Sequence, residues 1–126
     1  MDEQITWHVE LVVQSGQWDA FAALTHAMVQ STQHESGVLL YERFISEDRH
    51  VVHVVERYVD SPAAVTHLQA FATMYGAQFA SVVERQRFTV FGTPSPALKQ
   101  LLDQFGAVYC PRLGGFSRVA EQRDGR

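Results

Sequence analysis

One cysteine, Cys110, cannot form an internal disulfide, so this chain must hold itself together by its core. A lone thiol also fits a reducing compartment, and the expected location is the cytoplasm. No apolar run reaches the roughly 20 residues that a membrane-crossing helix needs, and no membrane partner is expected. Basic residues are few and scattered: 10 Lys and Arg against 14 Asp and Glu leave a formal charge of −4. That balance argues against a nucleic-acid partner. The first residues, MDEQITWHVEL, are acidic where an export signal would be basic. The nucleophile elbow GxSxG, the zinc motif HExxH, the redox motif CxxC and the phosphate loop are all missing.

What is present suits one globular domain over residues 1–126. The chain is 46% apolar and 19% charged. A chain of this length buries roughly two-thirds of its unfolded surface, enough to fold without a staple. Ile5–Val13 alternates, with Ile5, Trp7, Val9, Leu11 and Val13 on one side, and reads as a strand. Gln17–His34 carries Trp18, Phe21, Ala22, Thr25, Met28, Val29 and Thr32 at helical spacing, and Gly37 offers a left-handed exit after it. Val38–Ile45 and His50–Tyr58, joined by a short polar turn, read as an antiparallel hairpin. In the second of these, valines on both sides predict a strand covered on both faces.

Asp60-Ser61-Pro62 is a helix start, with a capping oxygen and a proline just inside. The helix runs to about Tyr75, with Ala64, Leu68, Phe71 and Tyr75 on its stripe and His67 one residue off it. Gly76 marks a break before a looser helical piece over 78–83, and Gln86–Phe91 supplies a fourth strand. The order β-α-β-β-α-β is the ferredoxin-like arrangement. It predicts an α+β fold with a four-stranded antiparallel sheet and both helices on one face, over a core of residues 5–92. The uncovered face carries apolar residues, which predicts a homodimer packed sheet on sheet. Residues 93–119 form an extension with a helix capped by Ser95, a stripe of Leu98, Leu101, Leu102 and Phe105, and a short edge strand at Ala107–Cys110. Gly114 and Gly115 would let Phe116 dock on the core, the Cys110 thiol would be packed, and residues 120–126 would fray.

The chemistry concentrates on one stretch. Glu56 and Tyr58 share a strand face, and His67 follows on the next helix, so a carboxylate, a phenol and an imidazole approach one cavity. The plain alternative is a structural His67 with Glu56 paired to Arg57 or Arg43. No metal site is expected, because the ligand spacing is poor: His50 and His53 point to opposite faces and His26 with Gln30 makes only a pair, while His8 and Glu10 do share a strand face that a sheet-on-sheet dimer could bury.

Glu56-Arg57-Tyr58-Val59-Asp60-Ser61-Pro62-Ala63-Ala64, followed by His67 and Phe71, resembles the antibiotic biosynthesis monooxygenase (ABM) domain family. The resemblance covers about residues 5–92. It implies a dimeric α+β barrel, and among the family's activities a cofactor-independent oxygenation of quinols or polyphenols. Under that reading no cofactor is needed, and the partner is an aromatic or hydrophobic small molecule. His67 would be the general base with Glu56 beside it. Tyr58, Tyr75 and Arg43 would donate hydrogen bonds, and Phe71, Phe79, Met74 and Trp18 would wall the substrate. Catalytic members often use an asparagine, and this chain has none. Two other readings follow from the resemblance: a non-catalytic dimer that binds a hydrophobic ligand or regulates, and a haem-binding member with His67 as axial ligand.

Overall fold

The computed structural model describes residues 3–118. Alternation in Ile5–Val13 becomes β1, and the following amphipathic stretch becomes α1 at Trp18–Thr32. The hairpin is β2 (Val38–Ile45) and β3 (Val51–Tyr58); then come α2 (Ser61–Met74), α3 (Gly76–Val82) and β4 (Val83–Phe91). The extension supplies α4 (Pro96–Asp103) and β5 (Val108–Cys110). The expected frayed tail lies outside the described residues.

The sheet order is β2-β3-β1-β4-β5. Its first four strands are antiparallel, as the ferredoxin-like order requires. The expected four-stranded sheet needs one correction, because β5 joins β4 in parallel through Thr89–Val108, Val90–Tyr109 and Phe91–Cys110. The cause is the connection. The chain leaves β4, passes through α4 and returns, and such a crossover delivers a parallel strand. The sheet is therefore mixed and five-stranded.

One sheet face carries Ile5, Trp7, Val9, Leu11, Val52, Val54, Tyr58, Phe88 and Val90, all buried. Phe21, Leu24 and Met28 of α1 and Ala64 of α2 complete this core. Side chains of α4 join it through Leu98 and Leu102, both fully buried. Asp60 caps α2 by accepting from the Ala63 amide at 2.9 Å, and Ser95 caps α4 by accepting from Leu98 at 3.2 Å. The Ser61 hydroxyl accepts from the Ser95 amide at 3.0 Å, tying the two helix starts together. The other face of β3 is open in the single chain: Val51, His53, Val55 and Arg57 are half-buried, beside exposed Phe44 and Phe91. Phe116 does not dock; it is 78% exposed, and Cys110 is exposed rather than packed.

Gly37 has a different role from the one its position suggests. It is not among the glycines with positive φ. A Cβ at Gly37 would lie 2.6 Å from the Ala63 Cβ, so glycine is required by the close approach of the β2 entry to α2. Gly37→Ala is expected to cost about 1–3 kcal/mol, the range for overpacking a tight contact. A melting temperature equal to that of the wild type would contradict this.

Candidate active site

The site begins as one row across the sheet. In the strand registers, Tyr41 of β2 stands opposite Glu56 of β3, and Glu56 stands opposite Trp7 of β1. All three side chains therefore point to the helix-covered face. Arg43, two residues along β2, shares that face. From above, α2 lowers His67, which is 5% exposed and lies on the helix's buried face with Ser61 and Ala64 rather than beside it. Glu35 reaches in from the turn after α1.

Glu56 is held on every side. Trp7 Nε1–H donates to its Oε1 at 2.9 Å, the Tyr58 hydroxyl donates to the same oxygen, and Arg43 donates to Oε2 at 2.6 Å. The Arg43 guanidinium also lies 3.5 Å from the centre of the Tyr41 ring. Burial, reinforced by the Glu56 carboxylate, holds the Tyr58 phenol well above its ordinary pKa of about 10, so it stays a donor. Burial also raises Tyr41, with Arg43 pulling the other way.

His67 is flanked by two carboxylates. Its Nδ1 lies 3.1 and 3.3 Å from the two Glu35 oxygens. An ionised carboxylate only accepts, so Nδ1 carries the hydrogen and the neutral ring keeps its lone pair on Nε2. That Nε2 stands 3.9 Å from Glu56 Oε1. Tyr41 meets the imidazole edge-on, with ring centres 5.5 Å apart.

These groups floor a pocket of about 80 Å³ that opens to solvent. Its walls are mostly apolar: Leu68, Phe71, Phe79, Phe88 and Phe105 among them, with Phe71 and Phe79 edge to face. Of the residues expected at the site, Arg43, Glu56, His67, Phe71 and Phe79 line this pocket. Tyr58 does not touch the ligand space; it is fully buried and supports Glu56. Met74 and Tyr75 line a small neighbouring crevice with Glu35, Tyr41 and His67, because the last turn of α2 carries them past the main pocket. Trp18 is elsewhere, packed by Phe21 and under Arg49 at the first turn of α1.

Glu35, Trp7, Tyr41, Arg85 and Phe105 were not expected at the site. Trp7 and Tyr41 were within reach of sequence reasoning, since pairing the strands around Glu56 puts one on each side of it. Among the described residues one set is spaced to hold a metal ion: His8, Glu10 and His53 on the open sheet face. There His8 Nε2 and His53 Nδ1 meet at 2.9 Å, so the two imidazoles spend these nitrogens on each other.

The family model for antibiotic biosynthesis monooxygenase matches residues 4–84, the stretch that supplies Trp7, Glu35, Tyr41, Arg43, Glu56 and His67. The chain belongs to the antibiotic biosynthesis monooxygenase family. None of the curated proteins matches this ABM chain by sequence. Among solved structures it is similar to MupZ from Pseudomonas fluorescens, at 22% identity and a TM-score of 0.79, over 94% of this chain and 99% of that one. It is similar to SO0527 from Shewanella oneidensis, at 28% identity and a TM-score of 0.59, over 71% of this chain and 88% of that one. A third likeness is SnoaB, a cofactor-independent oxygenase from Streptomyces nogalater, at 10% identity and a TM-score of 0.62, over 74% and 95%. Matches of 71% and 74% have the extent of the ABM core, whereas 94% takes in the C-terminal extension as well. The MupZ and SnoaB likenesses, at 22% and 10% identity, speak for the fold alone. No helix among the described residues is long and apolar enough to cross a membrane.

Proposed function

We propose that this ABM protein is a cofactor-independent monooxygenase of a quinol- or polyphenol-type small molecule, with His67 as the general base. The observation that supports it best is the Glu35–His67 pair, with His67 lining an aromatic-walled pocket. The relationship to a family that includes cofactor-independent oxygenases supports the same class.

The chemistry asks the protein for little. Nε2 of His67 takes the phenolic proton, and the imidazolium so formed stands between Glu35 and Glu56. Glu35 fixes the tautomer and the ring orientation. Glu56, saturated by three donors, supplies a fixed negative charge rather than a second base. The electron-rich anion passes one electron to dioxygen, and the resulting pair combines at carbon as a hydroperoxide. Loss of water then leaves a carbonyl. For an anthrone-type methylene the balance is CH2 plus O2 to C=O plus H2O: His67 first gives its proton to the peroxide, then takes the remaining proton from the same carbon as the O–O bond breaks and passes it to the departing hydroxide. The apolar walls keep the anion and the radical pair away from water.

The homodimer belongs to this proposal too. Phe44, Val51, Val55 and Phe91 give the open sheet face the apolar surface that a second copy would cover. A haem-binding role is less well supported, because His67 is buried, its Nδ1 is taken by Glu35, and Glu56 stands 3.9 Å from Nε2. The absence of asparagine favours a second reading, a dimer that binds an aromatic ligand without turning it over.

Labelled dioxygen separates the two. With an anthrone-type phenol and 18O2, the oxygenase reading expects one labelled atom in each product carbonyl and the other in water, above a no-protein control. Binding without incorporation would leave the second reading.

A further inference from the structure

The pocket holds two cations, and they are not equivalent. Arg43 is neutralised by Glu56 at 2.6 Å. Arg85 is exposed at the mouth and has no carboxylate within ion-pair distance among the described residues. Its guanidinium instead lies 4.9 Å from the centre of the Phe105 ring.

Arg85 reaches the pocket because β4 is irregular. The register runs Val9↔Phe88 and Glu10↔Arg87, and then jumps to Leu11↔Arg85, leaving Gln86 as an extra residue. Leu11 faces the helices, so its partner Arg85 does as well. Unbroken alternation from Phe88 would have sent Arg85 to the opposite face. A bulge of this kind re-aims a side chain, and here it puts a cation on an otherwise apolar rim. The extension then sets the geometry. Phe105, just beyond α4, stacks on Phe88 with ring centres 5.9 Å apart and planes within 5°, and offers its ring to the guanidinium.

We infer that Arg85 is a subsite for a carboxylate carried by the aromatic substrate, with the C-terminal extension holding the guanidinium through Phe105. This rests on the reading of the pocket as a site for aromatic small molecules. The ring would lie among Phe71, Phe79 and Phe88, with its hydroxyl toward His67 and its carboxylate at the mouth. A guanidinium matches a carboxylate in a two-pronged hydrogen bond, a recognition that an ester cannot reproduce.

The test compares 2,5-dihydroxybenzoate with its methyl ester, by calorimetry under anaerobic conditions, on the whole chain. The acid is expected to bind more tightly than the ester and to weaken with added salt. Arg85→Gln should weaken the acid about tenfold, the scale of one charge-assisted contact at an exposed rim, and leave the ester unchanged. Arg85→Lys, which keeps the charge but not the fork, should fall between. Ester and acid binding alike, or both weakening equally in Arg85→Gln, would overturn the subsite and leave the pocket reading standing. Binding of neither to the wild type would overturn both.

Discussion

His67→Gln is expected to lower turnover of an oxidisable phenol by about 10²–10⁴, the usual range for a general base. Glutamine is the informative replacement. Its amide can still donate to Glu35 and fill much of the buried volume, but it cannot take a proton at neutral pH. KM should change little, since Phe71, Phe79 and Phe88 rather than the imidazole provide the ring-binding surface. A drop in kcat at constant KM marks an interaction made only in the transition state. Glu35→Gln should give a smaller loss of the same kind, because the imidazole remains while its orientation and the stabilisation of its charged form weaken. Unchanged kcat in His67→Gln, with the protein folded, would assign His67 to structure.

The second large effect is on stability. Arg43 and Glu56 are a buried pair, with side chains 12% and 7% exposed. Breaking such a pair from one side leaves a charge without its partner, which costs about 3–5 kcal/mol. Arg43→Met should therefore lower the unfolding free energy by that amount, read as a lower urea midpoint at constant slope. The double variant Arg43→Met/Glu56→Gln should recover most of the loss. A neutral amide oxygen still accepts from Trp7 and Tyr58, and no uncompensated charge remains. A single-variant loss below about 1 kcal/mol would mean that Trp7 and Tyr58 alone satisfy the carboxylate.

The balance between these two variants bears on what Glu56 is for. Its place on a strand face beside Tyr58 was plain from alternation, and so was its proximity to His67. That spacing makes Glu56 the expected partner of the imidazole. His67 instead donates to Glu35, 32 positions earlier, which in sequence looks only like the end of a helix. Nothing local signals that role, because it depends on how the turn before Gly37 folds against α2. Trp7 and Tyr41 differ: both follow from the hairpin and the β1–β3 pairing once Glu56 is taken as the centre.

Helix caps were equally legible. Asp60 and Ser95 accept the hydrogen bonds their positions promised, and the stripe ending in Phe105 does bury Leu98 and Leu102. Side chains near helix ends were harder to assign. Trp18, Met74 and Tyr75 sit at the first or last turns, where a few degrees of packing decide which cavity they meet. Arg85 was out of reach for another reason: one extra residue in β4 reverses the face that simple alternation assigns to it.

Removal of a proton from a bound phenol in this pocket can be read without oxygen. Under anaerobic conditions, an anthrone-type phenol whose neutral and ionised forms absorb differently would be titrated with the wild type and with His67→Gln. A phenolate band should grow with wild-type occupancy, and the variant should bind without that band. A ligand that binds the wild type and stays neutral, or that ionises equally in both proteins, would contradict it.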